Sequence, residues 1–246
     1  MDKELDALKI HLKKIRKEGG IGPITKLYWQ YLYEINLNYI LANTRKNDKI
    51  LDVGCGTGKY LIGLAKKDRI CYGIDPLIEL SLNKARKRAE EEKVNINLIQ
   101  GVGEDIPFPS KFFDAVLCLS TLQHVNNPNR TLSEINRVLV DNGILLISIP
   151  LEKTIFNFFR NISKPAYYAH LFSINELKKL IKKNNFDILK IRGCGFFPPF
   201  LDKILFRFYP LFKEKATLKI IKSLDIFTKI IPSAASSIIV LARAKK

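Results

Sequence analysis

Cysteine is scarce in this chain of 246 residues: Cys55, Cys71, Cys118 and Cys194 form no C-x-x-C pair and show no metal-ligand spacing. That excludes a disulfide framework and a zinc site, and it fits a reducing, intracellular setting. Long apolar runs are missing as well. The longest uncharged stretch near the end, 230–242, holds 13 residues and contains Pro232, whereas a membrane-spanning helix needs roughly 20. The opening MDKELDALKIHLKKIRKE is charged throughout and lacks the apolar centre of a secretory signal. Histidine occurs three times, at His11, His124 and His170. What remains is ordinary globular composition, 47% apolar and 26% charged, so collagenous and wholly disordered chains are ruled out. The length suits one large domain or two small ones and can bury a core without staples.

Acidic residues are few: 24 against 41 basic, net +17. Divided after Pro150, the first part carries 22 basic and 18 acidic residues, and the last 96 carry 19 and 6. The excess is therefore C-terminal. Two readings stand: an anionic partner (lipid headgroups, a phosphorylated substrate or RNA), or a Lys- and Ile-rich composition with a solvated basic face.

Short runs that are apolar on both faces alternate with helical stretches. KILDV (49–53), ICYGI (70–74), INLIQ (96–100), FDAVLCLS (113–120) and GILLISI (143–149) read as strands of a buried parallel sheet. Residues 58–67, 79–93 and 129–140 read as helices, the last closed by an Asp141-Asn142-Gly143 turn. An irregular aromatic segment, 151–172, follows. Ser173 and Glu176 then form a capping box for a helix to about Asn184, and FDILKIRG (186–193) and SIIVLARA (237–244) add two strands. The alternation predicts a doubly wound α/β sheet with its ligand crevice at the carboxyl ends of the strands. The first 46 residues read as helices laid on that sheet.

The informative stretch is Ile50-Leu-Asp52-Val-Gly54-Cys55-Gly56-Thr-Gly58-Lys59. A strand runs into a loop with glycine at alternate positions, then into a helix. Such glycines allow tight turns and let a ligand lie against bare backbone, and the helix start offers free N–H groups to an anionic group. Asp75, 21 residues after Gly54 at the end of the second strand, is placed to accept from a ribose diol. The dinucleotide fingerprint G-x-G-x-x-G does not fit, because the third glycine comes one residue early and Lys59 occupies its position.

On these residues the chain resembles the class I S-adenosylmethionine-dependent methyltransferases, in the branch with small-molecule and quinone-biosynthesis enzymes. LDVGCGTG resembles the family's glycine loop, GIDP (73–76) its ribose-binding strand end, and GEDIPFPSKFFDAV (103–116) its adenine-side loop and fourth strand. LQHV (122–125) and EINRVLVDNGILLISIP (134–150) resemble the segments that follow. The resemblance is close over about 45–150. It implies a Rossmann-like, seven-stranded α/β sheet, mostly parallel with the last strand antiparallel. It also implies a single domain with a helical cap (1–46), a cofactor-binding core (47–150) and acceptor-side lid segments (151–172 and 193–235). It further implies S-adenosylmethionine as cofactor, with Asp52, Gly54, Cys55, Gly56 and Gly58 at its methionine end, Asp75 and Pro76 at the ribose, Gly103, Glu104 and Asp105 along the adenine, and Leu119 near the sulfonium. Many relatives have an acid two positions before Glu104, where this chain has Val102. Either Glu104 or Asp105 substitutes for it, or backbone contacts suffice.

Methyl transfer requires positioning and exclusion of water, and no metal. A general base helps when the acceptor is a hydroxyl, phenol or ring carbon. His124, after the fourth strand, reads either as that base or as a structural histidine. His170 reads as a substrate-facing residue, and His11 as surface.

The connection 193–235 is long. Its 43 residues contain 8 of the 25 aromatics (Phe196, Phe197, Phe200, Phe206, Phe208, Tyr209, Phe212 and Phe227) and 7 basic against 3 acidic residues. Stretches 200–212 and 217–231 place apolar residues at helical spacing. Three readings remain open: a helical lid, docking to an anionic membrane, or RNA binding. The expected acceptor is a small or lipid-like molecule in the cytoplasm or at a membrane surface. The alternatives are RNA, with tRNA foremost, and a non-catalytic cofactor-binding surface protein. The acceptor atom and the oligomeric state are not legible.

Overall fold

In the computed structural model, residues 23–151, 170–195, 214–232, 235 and 237–246 are described. The expectations for 1–22 (including His11), for 152–169 and for 196–213, with seven of the eight aromatics named in the long connection, lie outside the described residues.

Seven strands form one sheet in the order β3-β2-β1-β4-β5-β7-β6. They are β1 (Lys49–Val53), β2 (Ile70–Asp75), β3 (Asn97–Gln100), β4 (Phe113–Leu119), β5 (Leu139–Pro150), β6 (Phe186–Cys194) and β7 (Ser237–Ala244). Pairing is parallel from β3 through β5, and β7 runs antiparallel to both β5 and β6. The helices are α1 (Pro23–Ala42), α2 (Lys59–Ala65), α3 (Asn83–Glu91), α4 (Pro128–Val138), α5 (Ile174–Lys183), α6 (Glu214–Leu224) and α7 (Ile226–Ile230).

The period-2 pattern of the strands builds a core on each face. Ala115 and Leu117 of β4, with Leu146 of β5, meet α1, α2 and α6 through Leu27, Ile35, Leu61 and Ile221. Val116, Cys118, Leu145 and Ile147 meet α4 and α5 through Leu132, Ile135, Leu177 and Ile181. Strands buried on both faces read as continuous apolar runs for this reason. The capping box is present: Glu176 N–H donates to Ser173 Oγ at 3.3 Å, and Ser173 N–H to Glu176 Oε2 at 2.8 Å.

The structure corrects the expected elements at three places. The turn at 141–143 does not close a helix; α4 stops at Val138, and β5 begins at Leu139 opposite Phe113. The next partner of β4 is Ile144, so 140–143 bulge out, with Asn142 at φ 62°; asparagine tolerates that conformation. The helix expected over 79–93 opens with a π turn, Ile78–Leu82, whose Leu82 N–H reaches Leu77 O at 3.1 Å. The amphipathic stretch 217–231 is two helices, broken at Asp225, which turns inward.

Candidate cofactor crevice

Parallel strands β1, β2 and β4 end side by side, and the loop after β1 lies across that edge. Gly54, Gly56 and Gly58 have φ of 73°, 54° and 70°, in the left-handed region where a Cβ is penalised. Gly54 and Cys55 donate their N–H groups to Ile74 O at 2.8 and 3.0 Å, which ties the loop to β2. Asp75 completes the tie: one oxygen accepts from Gly56 N–H and the other from Leu77 N–H, both at 2.9 Å. This carboxylate therefore shapes both the glycine loop and the π turn, and it also accepts from the Ser81 side chain.

The glycines differ in what surrounds them. A Cβ on Gly54 would overlap Thr121, and one on Gly58 would come 3.0 Å from Ala85 Cβ. At Gly56 it would meet nothing within 4 Å. The missing side chain of Gly56 leaves an open cradle in which a ligand can rest on the main chain.

Asp52 lies under the loop, 2% exposed. Burial, reinforced by the Asp75 charge, holds its carboxyl well above the usual range. Asp75 is raised too by burial, against hydrogen bonds from Leu77, Gly56 and Ser81 that pull it down. Burial pushes the Cys55 thiol up, and those of Cys71 and Cys118 to about 12, so all three are inert.

Because both carboxyls titrate higher folded than unfolded, the folded chain keeps protons that the unfolded chain has released. Stability therefore falls as pH rises from the unfolded carboxyl value through the folded ones. Asp52→Asn is expected to flatten that fall, each unit of raised pKa being about 1.4 kcal/mol, or about 3–6 °C at this chain length. Thermal unfolding of both proteins at several pH values checks this: the variant should melt higher at alkaline pH and alike in acid. Parallel profiles would remove Asp52 as the titrating group.

The other expected residues divide into groups. Pro76 follows Asp75, and its carbonyl accepts from the Gln100 amide at 3.2 Å. A Cβ on Gly103 would press on Thr131 Cγ2 at 2.8 Å and Val53 Cγ1 at 3.2 Å, so packing against α4 already requires glycine there. Glu104 accepts from Asn126 and Asn127 N–H at 2.7 and 3.1 Å, clipping the entry to α4. Asp105 is exposed and forms a short bridge with Val102. Leu119 ends β4, nine-tenths buried, and its carbonyl accepts from Thr121 Oγ1 at 3.2 Å.

His124 and His170 are brought to one loop. His124 Nε2 lies 3.3 Å from the Gln123 amide nitrogen. His170 donates from its backbone to Gln123 O at 3.1 Å and from Nε2–H to Asn126 O at 3.1 Å. Only a carbonyl faces that nitrogen, so the tautomer is set and Nδ1 is the ring atom left to accept.

Sequence reasoning missed a wall beside the loop. Tyr60 of α2 stacks obliquely on Tyr33 of α1, centroids 5.1 Å apart, and accepts from Asn36 Nδ2 at 3.0 Å. Lys59 Nζ lies 4.3 Å from the Tyr33 ring centre, and burial, then the Arg88 charge, lowers its pKa. Thr121 and Arg88 were missed too; the latter donates to the Thr57 carbonyl and hydroxyl at 3.1 and 3.0 Å. The sequence carries one signal of this wall, the cluster Tyr28, Trp29, Tyr31 and Tyr33 before Asn43. No metal-holding group of His, Cys, Asp and Glu occurs among the described residues.

The family model for a methyltransferase domain matches residues 51–147, from β1 through β5. An uncharacterized protein of Methanocaldococcus jannaschii is 29% identical over 197 residues, 77% of this chain and 80% of that one. The ubiquinone biosynthesis O-methyltransferase of Coxiella burnetii is 27% identical over 176 residues, 67% of this chain and 74% of the enzyme. In fold, the chain is similar to phosphoethanolamine N-methyltransferase 2 of Haemonchus contortus in complex with S-adenosyl-L-methionine, with TM-score 0.62, 19% identity, and coverage of 87% of this chain and 53% of that one. The sheet order and glycine loop define a class I methyltransferase fold. With the match of 51–147 and the methyltransferase relatives, they support a class I S-adenosylmethionine-dependent methyltransferase.

Proposed function

We propose that this protein transfers a methyl group from S-adenosylmethionine to a small-molecule or lipid-like acceptor. The observation that carries the reading is the bare cradle at Gly56, held by the Asp75 carboxylate above the buried Asp52. In it, Gly54, Gly56 and Gly58 would hold the amino-acid end and Asp75 and Pro76 the ribose. Gly103, Glu104, Asp105 and Leu119 would border the adenine and the sulfur. When bound, the cofactor supplies an electrophilic methyl on a sulfonium. The chain's own part is to fix the loop, to exclude water with Tyr33 and Tyr60, and to present the acceptor. His170 Nδ1, or His124, would take the acceptor's proton.

An acceptor with an apolar portion is supported by Ile226, Phe227 and Ile231 at α7, each more than half exposed and close in sequence to Lys219 and Lys222. Among the described residues no helix is long and apolar enough to cross a membrane, so any membrane contact would be peripheral, through such a patch. Calorimetry with S-adenosylmethionine should show one site. Incubation with labelled cofactor and cell extracts should then yield lipid or small-molecule products heavier by one methyl group. Cofactor binding without any labelled product would reduce the protein to a binding module, and labelling confined to RNA would replace the acceptor.

A further inference from the structure

A second cleft lies between α1 and α6, away from the crevice, with a volume of about 430 Å³, within the usual range of ligand sites. Two helix stripes face each other across it. Tyr31, Glu34, Ile35 and Asn38 of α1 stand at i, i+3, i+4 and i+7, and Lys219, Lys222 and Ser223, with Ile226 beyond, repeat the spacing. Arg192 of β6 forms the floor. Arg192 lies on β6, four strand positions from β1 in the sheet, about 19 Å at the usual strand spacing of about 4.8 Å, while α1 is shared, its Tyr33 meeting Tyr60 beside the glycine loop and its Tyr31 this cleft.

The charges in the cleft are not balanced. Lys222 is answered by Glu34, Nζ to Oε2 at 3.1 Å. Arg192 is answered by the buried Asp225, 2.9 Å away, and also donates to Tyr31 Oη at 3.0 Å. Its Nε is buried and has no hydrogen-bond partner. Lys219 is exposed one turn before Lys222 on the same face and has no acidic partner among the described residues. Like charges at that spacing repel, and the cleft holds no second acid to offset them. Arg192 gives Nη2 to both Asp225 and Tyr31 and keeps its Nε buried, so the exposed cationic groups of the cleft are the two lysines. Two ammonium groups beside neutral donors (Asn38 and Ser223) form the point-charge arrangement that suits a phosphate.

We propose that the α1–α6 cleft binds a phosphate group, carried by a soluble phosphate ester or by an anionic lipid headgroup. The proposal goes beyond methyl transfer and does not depend on it.

Equilibrium dialysis with labelled inorganic phosphate and with glycerol phosphate, alongside sedimentation with phosphatidylglycerol and phosphatidylcholine vesicles, tests it on the full chain. The variants are Lys219→Glu and, as a control of equal charge change on an exposed position of α5 across the sheet, Lys179→Glu. Binding of either soluble phosphate, weakened about tenfold by Lys219→Glu and unchanged by Lys179→Glu, supports the site with a free ester as source. Binding only to phosphatidylglycerol vesicles, with the same dependence on Lys219, supports it with a headgroup as source. Equal weakening by both variants overturns it, because general surface charge would then be responsible. No binding of any of these probes at about 10 mM, far above ordinary site affinities, overturns it too, as does Lys219-dependent binding of bulk tRNA alone. Unaltered S-adenosylmethionine affinity in Lys219→Glu keeps any loss apart from damage to the crevice.

Discussion

Replacing Gly56 with valine is expected to weaken S-adenosylmethionine binding by about a hundredfold or more while the protein stays folded. Among the described residues no atom lies within 4 Å of the new Cβ, so the branched carbons would fill the surface on which a ligand rests. Overfilling a matched contact by that much costs about 3 kcal/mol, which is about a hundredfold in affinity. The fold pays a separate and smaller penalty. Gly56 sits at φ 54°, and a left-handed conformation costs a non-glycine residue about 1–3 kcal/mol. Gly54→Ala makes the contrast, because its methyl would overlap Thr121 and disturb the β1–β4 edge itself. Gly56→Val should therefore melt only a few degrees low and fail to bind, whereas Gly54→Ala should lose stability along with affinity. Circular dichroism melting and calorimetry on the two variants decide the matter. A folded Gly56→Val that binds nearly as tightly as the parent would move the cofactor away from this loop.

That contrast was only half legible in the sequence. Alternate glycines after a five-residue strand announce bare backbone, but three glycines in a row of motifs look alike until their neighbours are known. Gly54 is required by a threonine 67 positions away, Gly58 by the packing of Ala85, and Gly56 by no neighbour at all. Regular elements were readable where local chemistry decides them. SIIVLARA is β7 because its apolar period matches a strand, and Ser173 starts α5 because its hydroxyl and Glu176 close a capping box. Elements decided by distant partners were not. The π turn exists because Asp75 holds Leu77 N–H, and the bulge at 140–143 follows from the register of β5 on β4. The contact of the His170 ring with the Asn126 carbonyl likewise joins residues 44 apart, and no local pattern reveals it.

Asp225→Ala is expected to destabilise the protein by about 3–5 kcal/mol, the usual result of stranding one member of a buried ion pair. At this chain length that is a fall in melting temperature of about 10 °C. The residue is 1% exposed and gathers four donors: Tyr31 Oη at 2.8 Å, Arg192 at 2.9 Å, Gly195 N–H at 2.7 Å and Thr228 Oγ1 at 2.9 Å. Burial and the hydrogen bond to Asp225 raise the Tyr31 pKa far above its usual value, so the hydroxyl stays a donor at every working pH. These contacts join α1, the end of β6 and the α6–α7 break, elements as far apart as 194 residues in the chain. Removing the carboxylate leaves the Arg192 charge in a setting only 16% exposed. The loss should be largely reversed by adding Arg192→Met, because replacing both members with apolar side chains restores neutrality. A double variant no more stable than Asp225→Ala would mean that the hydrogen bonds to Gly195 and Thr228, and not the charge on Arg192, account for the effect. Cofactor affinity should stay near that of the parent in both variants, since the network lies about four strand spacings, about 19 Å, from the glycine loop.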